Sequence, residues 1–138
     1  MSQRIFAAPP AAVYAAFADP ARLAQWWGPH GFTNRFHEFD LRPGGAWRFA
    51  MVAPDGTTYE NEKTFRDVVP GDRVSFDHHG PVHRFHMALT WEPAERGTRL
   101  TWRMRFEDPE HGKKLRAFIS EKNEENFDRL AAHLAAGA

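Results

Sequence analysis

The chain has 138 residues, 42% of them apolar and 14% aromatic, and its 18 basic groups are balanced by 18 acidic ones. That is the material of one domain with an ample core, so a single domain over residues 1–138 is expected. Zero net charge supplies neither the basic face of a nucleic-acid partner nor a polybasic membrane contact, and the absence of cysteine removes disulfides, thiol chemistry and cysteine-held metals.

The opening residues lack the apolar core of a signal peptide, and no stretch approaches the roughly 18 apolar residues of a membrane span, so a cytoplasmic location is expected. Residues 3–8 suit a short strand, which Pro9-Pro10 stops. Pro10 can open a helix to about Phe17. Asp19-Pro20 is a second helix start, with Asp19 as N-cap, and this helix runs to Trp27, where Gly28-Pro29 ends it.

From about Asn34 the apolar period becomes two. Trp47, Phe49 and Met51 alternate with Arg48, Ala50 and Val52. The turn Pro54-Asp55-Gly56-Thr57 leads into a strand over 58–68, and Pro70-Gly71-Asp72 turns the chain again. Val74, Phe76 and His78 share one face of the next strand. Phe85, Met87, Leu89 and Trp91 share a face of the one after, and Leu100, Trp102, Met104 and Phe106 a face of the last. Alternation of this kind means an antiparallel sheet with one wet and one covered face.

The cover is a long helix. Asp108-Pro109-Glu110 combines an N-cap, proline at the first helical position and a carboxylate in the first turn, and the helix should reach Leu134 and stop before Gly137. On a helical projection Leu115, Phe118, Ile119, Phe127, Leu130 and Leu134 fill about half the circumference. Lys122, Asn123 and Asn126 fall inside that arc, where each would cost roughly 1–3 kcal/mol if unpaired. They call for partners across the interface, water or a ligand.

The order of these elements, with Ala8-Pro9, Val13-Tyr14, Trp26-Trp27-Gly28-Pro29, Asp40-Leu41-Arg42-Pro43-Gly44-Gly45-Ala46-Trp47-Arg48, Asp55-Gly56 and Val69-Pro70-Gly71-Asp72-Arg73-Val74, resembles the START-like (SRPBCC, helix-grip) superfamily. It is most similar to the AHSA-like group, named for the activator of heat-shock-protein-90 ATPase. The resemblance implies an α+β helix-grip fold: a curved antiparallel sheet of six to seven strands wrapped around a long C-terminal helix, with two short helices after the first strand. It further implies a cavity between sheet and helix that binds apolar molecules and, in some branches, performs cyclisation or hydrolysis. The namesake co-chaperone carries an additional N-terminal domain that this length does not accommodate, so no chaperone partner is expected. The terminal helix departs from the group, with Glu125-Asn126-Phe127 where a Gly-Trp segment is expected.

The expected function is therefore capture of a small apolar molecule, aromatic or lipid-like. A cyclase- or hydrolase-type enzyme and a protein-interaction module are the alternatives, and a homodimer through a sheet edge or the cavity mouth is compatible with any of them. By strand parity Trp47, Phe49, Met51, Phe65, Phe76, Phe85, Met87, Leu89, Trp102 and Met104 form the candidate ligand wall, with Tyr59 as a polar anchor. Trp26, Trp27 and Phe32 stand at the mouth, and Phe118, Lys122 and Asn126 face them from the helix. Adjacent tryptophans at a helix end cannot both enter one core, so one should cover the opening and its loss should weaken ligand capture more than stability.

No catalytic residue, metal or cofactor is assigned. His78, His79, His83 and His86 gather around Gly80-Pro81, yet parity separates His78 from His79 and no spaced carboxylate completes a tetrahedral set. There is no Gly-x-Ser-x-Gly elbow and no glycine-rich phosphate loop. Tyr59, Asn61 and Lys63 share the face of Phe65, and with His78 they are the polar groups able to meet on the covered side, where they could polarise a carbonyl. Arg42-Pro43-Gly44-Gly45 reads as a sharp structural turn across which Asp40 and Arg42 can pair.

Overall fold

A computed structural model describes residues 1–80 and 84–136. The chain order is β1 (Ser2–Phe6), α1 (Pro10–Ala18), α2 (Pro20–Trp26), β2 (Thr33–Phe39), β3 (Ala46–Val52), β4 (Thr58–Val69), β5 (Arg73–Gly80), β6 (Phe85–Ala94), β7 (Gly97–Phe106) and α3 (Pro109–Ala135). Both capping readings hold in atomic detail. The Asp19 carboxylate accepts from the Ala21 N–H at 3.0 Å, and Asp108 accepts from the Glu110 N–H at 3.1 Å. Each satisfies one of the amide donors that a helix start leaves without an internal partner.

The seven strands form one antiparallel sheet in the order β1-β7-β6-β5-β4-β3-β2. β1 and β2 are thus the two edges, and α1 and α2 carry the chain from one to the other across the concave face. Alternation turns Trp47, Phe49, Phe65, Val74, Phe76, Met87, Leu89, Trp91, Leu100 and Trp102 inward, and all are buried. Trp47 is the hub of this layer. It stacks on Phe49 at 4.9 Å and Phe65 at 6.0 Å, and meets Phe17 and Phe76 edge-on at 5.9 and 5.7 Å. Each buried ring of this kind contributes about 1.5–3 kcal/mol.

The Arg42-Pro43-Gly44-Gly45 segment is a turn that locks β3 onto β4. The Gly44 N–H donates to the Phe65 carbonyl at 2.8 Å, the Phe65 N–H donates to the Gly45 carbonyl at 2.9 Å, and Arg42 pairs with Asp40 at 2.8 Å. A β-carbon on Gly45 would lie 2.0 Å from the Asp40 carbonyl oxygen, a distance no side chain tolerates.

The covering helix differs from its sequence reading. Its second half packs as expected, with Asn126, Phe127 and Leu130 buried, and Arg4 of β1 ties it down through Glu124 at 2.6 Å and Asp128 at 2.8 Å. The first half is rotated away from the predicted arc: Phe118 is 57% exposed, on the solvent side. The predicted arc is centred on the bulkiest apolar residues, whereas the observed phase is the one that buries Asn126, Phe127 and Leu130. Carried back through whole turns, that phase puts Gly112, Arg116 and Asn123 on the same side of the helix. The expected stop at Gly137 lies outside the described residues.

Gly45→Ala is expected to cost about 3 kcal/mol or more, because backbone must move to admit it. Gly44→Ala meets nothing within 4 Å and pays for its φ of +82° alone, about 1–2 kcal/mol. Urea melts of the two variants would check the ranking.

Candidate functional site

Trp26-Trp27-Gly28-Pro29 is held down by its own hydrogen bonds. Trp26 is the last residue of α2, while Trp27 is already extended with φ −68° and ψ 135°. The change of backbone conformation between them lets both rings enter the core, at 2% and 6% exposure, where they meet edge-on at 5.7 Å. The Trp26 indole N–H donates to the Ala16 carbonyl at 3.0 Å, whereas Trp27 packs on Trp47 at 5.0 Å and Trp102 at 5.3 Å. Neither covers an opening, and the expectation that one would is corrected: it assumed helical geometry through both residues.

Asn126 and Arg129, one turn apart on α3, grip this segment. Asn126 donates to the Trp26 carbonyl at 2.8 Å and accepts from the Gly28 N–H at 3.1 Å. Arg129 donates to the carbonyls of Gln25, Trp27, Gly28 and Pro29 at 2.9–3.1 Å. Burial pulls the Arg129 guanidinium below its ordinary range, yet it stays an effective cation opposite the carbonyl end of α2. Asn126 is therefore a structural clamp, with both ends of its amide in use. Phe32 and Met51 pack around Gly28 and close this end of the space between helix and sheet.

The opening lies at the other half of α3. There a cavity of about 730 Å³ separates the helix from β7 and the start of β1. Its sheet side is Trp102, Met104 and Phe106; its helix side is Pro109, Gly112, Lys113, Arg116, Ile119, Ser120 and Asn123. Asn123 bridges the two, donating to Ser2 Oγ at 3.1 Å and touching Met104 Sδ at 3.7 Å. The buried indole N–H of Trp102 has no hydrogen-bond partner among the described residues.

A second feature sits deeper in the sheet. Lys63 on β4 is 4% exposed, and its Nζ lies 2.7 Å from His78 Nδ1 on β5. Four rings surround the amine, Phe76 at 5.0 Å, Trp47 and Phe49 at 5.5 Å and Phe85 at 5.8 Å. Among the described residues no carboxylate pairs with Lys63, and burial pushes it down to about 7. Ring quadrupoles offset part of the cost of burying the cation. The short contact joins the amine and the imidazole across the β4–β5 pair, where Lys63 and His78 are register partners.

Residues 7–135 match the family described as activator of Hsp90 ATPase homolog 1-like protein. The chain belongs to that family. A solved protein from Arthrobacter aurescens is 28% identical with a TM-score of 0.87, the match covering 97% of this chain and 84% of that one. An AHSA1 protein from Silicibacter pomeroyi is 29% identical with a TM-score of 0.80, covering 99% and 96%. A protein from Chromobacterium violaceum is 27% identical with a TM-score of 0.81, covering 94% and 92%. No curated protein matches.

Within this AHSA1-like chain the residues singled out from sequence fall into three groups. Trp102 and Met104 line the cavity. Trp26, Trp27, Trp47, Phe49, Phe65, Phe76, Met87 and Leu89 are buried core, half-buried Phe85 stacks on His78 at 4.7 Å, and Asn126 is the clamp. Tyr59 is 37% exposed, Phe118 stands outside, and Lys122 runs along the surface to Glu125 at 3.2 Å with its amine over Phe118. Sequence reasoning missed Arg116, Lys113, Gly112 and Ser120. Setting the helix phase by its most deeply packed turn would have found them.

The histidines are engaged separately: His79 with Thr64 at 2.8 Å, His86 with Asp77 at 2.8 Å, and His78 with Lys63, while His83 lies outside the described residues. Among the described residues no helix is long and apolar enough to cross a membrane.

Two outcomes follow from this geometry. Trp27→Ala should remove about 3–5 kcal/mol of stability, read from denaturant titration, because the ring is core. Lys63 loses its proton near pH 7 when folded but near pH 10 when unfolded, so the unfolded chain binds more protons between those values. Its burial penalty is complete below pH 7 and is relieved as pH rises through that window. Lys63→Met should therefore raise the melting temperature more at pH 6 than at pH 9.5; an equal gain at both would show that the lysine is not buried as a cation.

Proposed function

We propose that this protein binds a small, largely apolar molecule in the cavity between the first half of α3 and β7. The carrying observation is the cavity: about 730 Å³, within the range of ligand pockets, backed by Trp102, Met104 and Ile119.

The alternatives have less behind them. An enzyme would draw on Lys63 and His78, but neither is among the residues lining this cavity, and Tyr59 lies too exposed to join them. An interaction module would need a continuous apolar patch. Among the described residues the exposed large apolar side chains are four, Met1 and Ile5 at the β1 edge, Tyr59 on β4 and Phe118 on α3.

The reading is tested with N-phenyl-1-naphthylamine, a neutral fluorophore that brightens in apolar sites. The parent protein should take it up. Ser120→Trp, which puts an indole into the cavity from an exposed helix position, should abolish most of the uptake while the melting temperature stays within a few degrees. Unchanged uptake by that variant would place the binding elsewhere.

A further inference from the structure

Three observations on the first half of α3 bear on what the cavity holds. The first is the direction of Arg116. It precedes Leu134 by about five helical turns and so shares its side of the helix, where its exposed side chain lines the cavity. Lys113 lines the cavity one turn earlier, next to Gly112, which packs closely on Phe106. The apolar Phe118 faces solvent instead. An amphipathic helix laid on a sheet ordinarily does the opposite, keeping cations outward and aromatics in.

The second is the charge of the lining. In a chain with equal numbers of acids and bases, the ionisable side chains around the cavity are Arg105, Lys113 and Arg116, with no carboxylate. Strand alternation turns Arg105 to the other face of the sheet, opposite Met104 and Phe106, which leaves the two helix cations.

The third is their lack of partners. Among the described residues Arg116 has no ion pair, and Lys113 has one loose contact to Glu110 at 3.6 Å, with both side chains about three-quarters exposed. Opposite these cations the wall is Trp102 and Met104, apolar but for one indole N–H. An apolar back and a cationic rim complement a molecule with an apolar body and an anionic end. The guanidinium presents a planar donor fork suited to a carboxylate.

We infer that the occupant is an amphiphilic carboxylic acid, its hydrocarbon body against Trp102, Met104 and Ile119 and its carboxylate held by Arg116 and Lys113. This rests on the binding reading above. It assigns Arg116 and Lys113 as specificity-determining residues.

The test compares decanoic acid with decan-1-ol as competitors of N-phenyl-1-naphthylamine at pH 7.5, where the acid is ionised. The acid should displace the fluorophore at roughly tenfold lower concentration, equivalent to about 1.4 kcal/mol. That advantage should shrink as ionic strength rises from about 0.05 to 0.5 M. The double variant Arg116→Gln, Lys113→Gln should bring acid and alcohol to parity without changing alcohol binding, while Arg103→Gln, outside the cavity lining, should leave the preference intact.

Equal competition by acid and alcohol in the parent, or a preference that survives the double variant, would overturn the anionic assignment and leave apolar binding standing. Failure of the fluorophore and of both competitors to bind would bring down the two readings together.

Discussion

The grip of α3 on the chain between Gln25 and Pro29 decides how the helix meets the sheet. A helix end leaves carbonyls without internal partners, and at α2 that of Trp26 is buried and that of Ala24 half-buried, where an unpaired one would cost about 1–3 kcal/mol. Asn126 and Arg129 satisfy the carbonyls of Gln25, Trp26 and the following residues, and Asn34 adds bonds to the Ala24 and Trp27 carbonyls at 3.1 and 2.8 Å. Each bond demands one rotation of α3 about its axis. The packing of Phe127 and Leu130, the outward turn of Phe118 and the place of exposed Arg116 along the cavity all follow from that rotation.

The helix accordingly does two jobs along one length. Its second half closes a dry core, where Phe127 meets Phe6 at 5.9 Å and Trp102 at 4.7 Å. Its first half lines the cavity with small, polar and cationic residues, and touches the sheet through Gly112 and His111 on Phe106 and through Asn123 on Ser2 and Met104. Stability and binding are thereby assigned to different turns, and a change in the cavity wall need not disturb the clamp.

Much of this architecture was legible in the residues. Period-two alternation from Trp47 to Phe106 gave the strands, both Asp-Pro starts gave their helices, and parity brought Lys63 opposite His78. The glycine turn before β3 and the Asp40–Arg42 pair were also readable, because they are local. What failed was of another kind. The phase of a 27-residue helix is set by hydrogen bonds to a loop about a hundred positions earlier, which hydrophobicity alone does not encode. The fate of Trp26 and Trp27 turned on a single change of backbone conformation between them. An indole looks the same in sequence whether it lines a cavity or fills one.

The strand order has a consequence for how the molecule comes into being. β1 is the first element of the sequence, but its partner is β7, with Ser2 opposite Trp102 and Phe6 opposite Thr98. During synthesis the meander from β2 to β6 can pair neighbour by neighbour while β1 waits, its edge unmatched, until roughly a hundred further residues have emerged. The clamp on the α2 carbonyls comes later still, since Asn126 and Arg129 follow β7. The earliest strand made is thus among the last placed, and the fold is sealed by its C-terminal helix rather than built outward from its beginning.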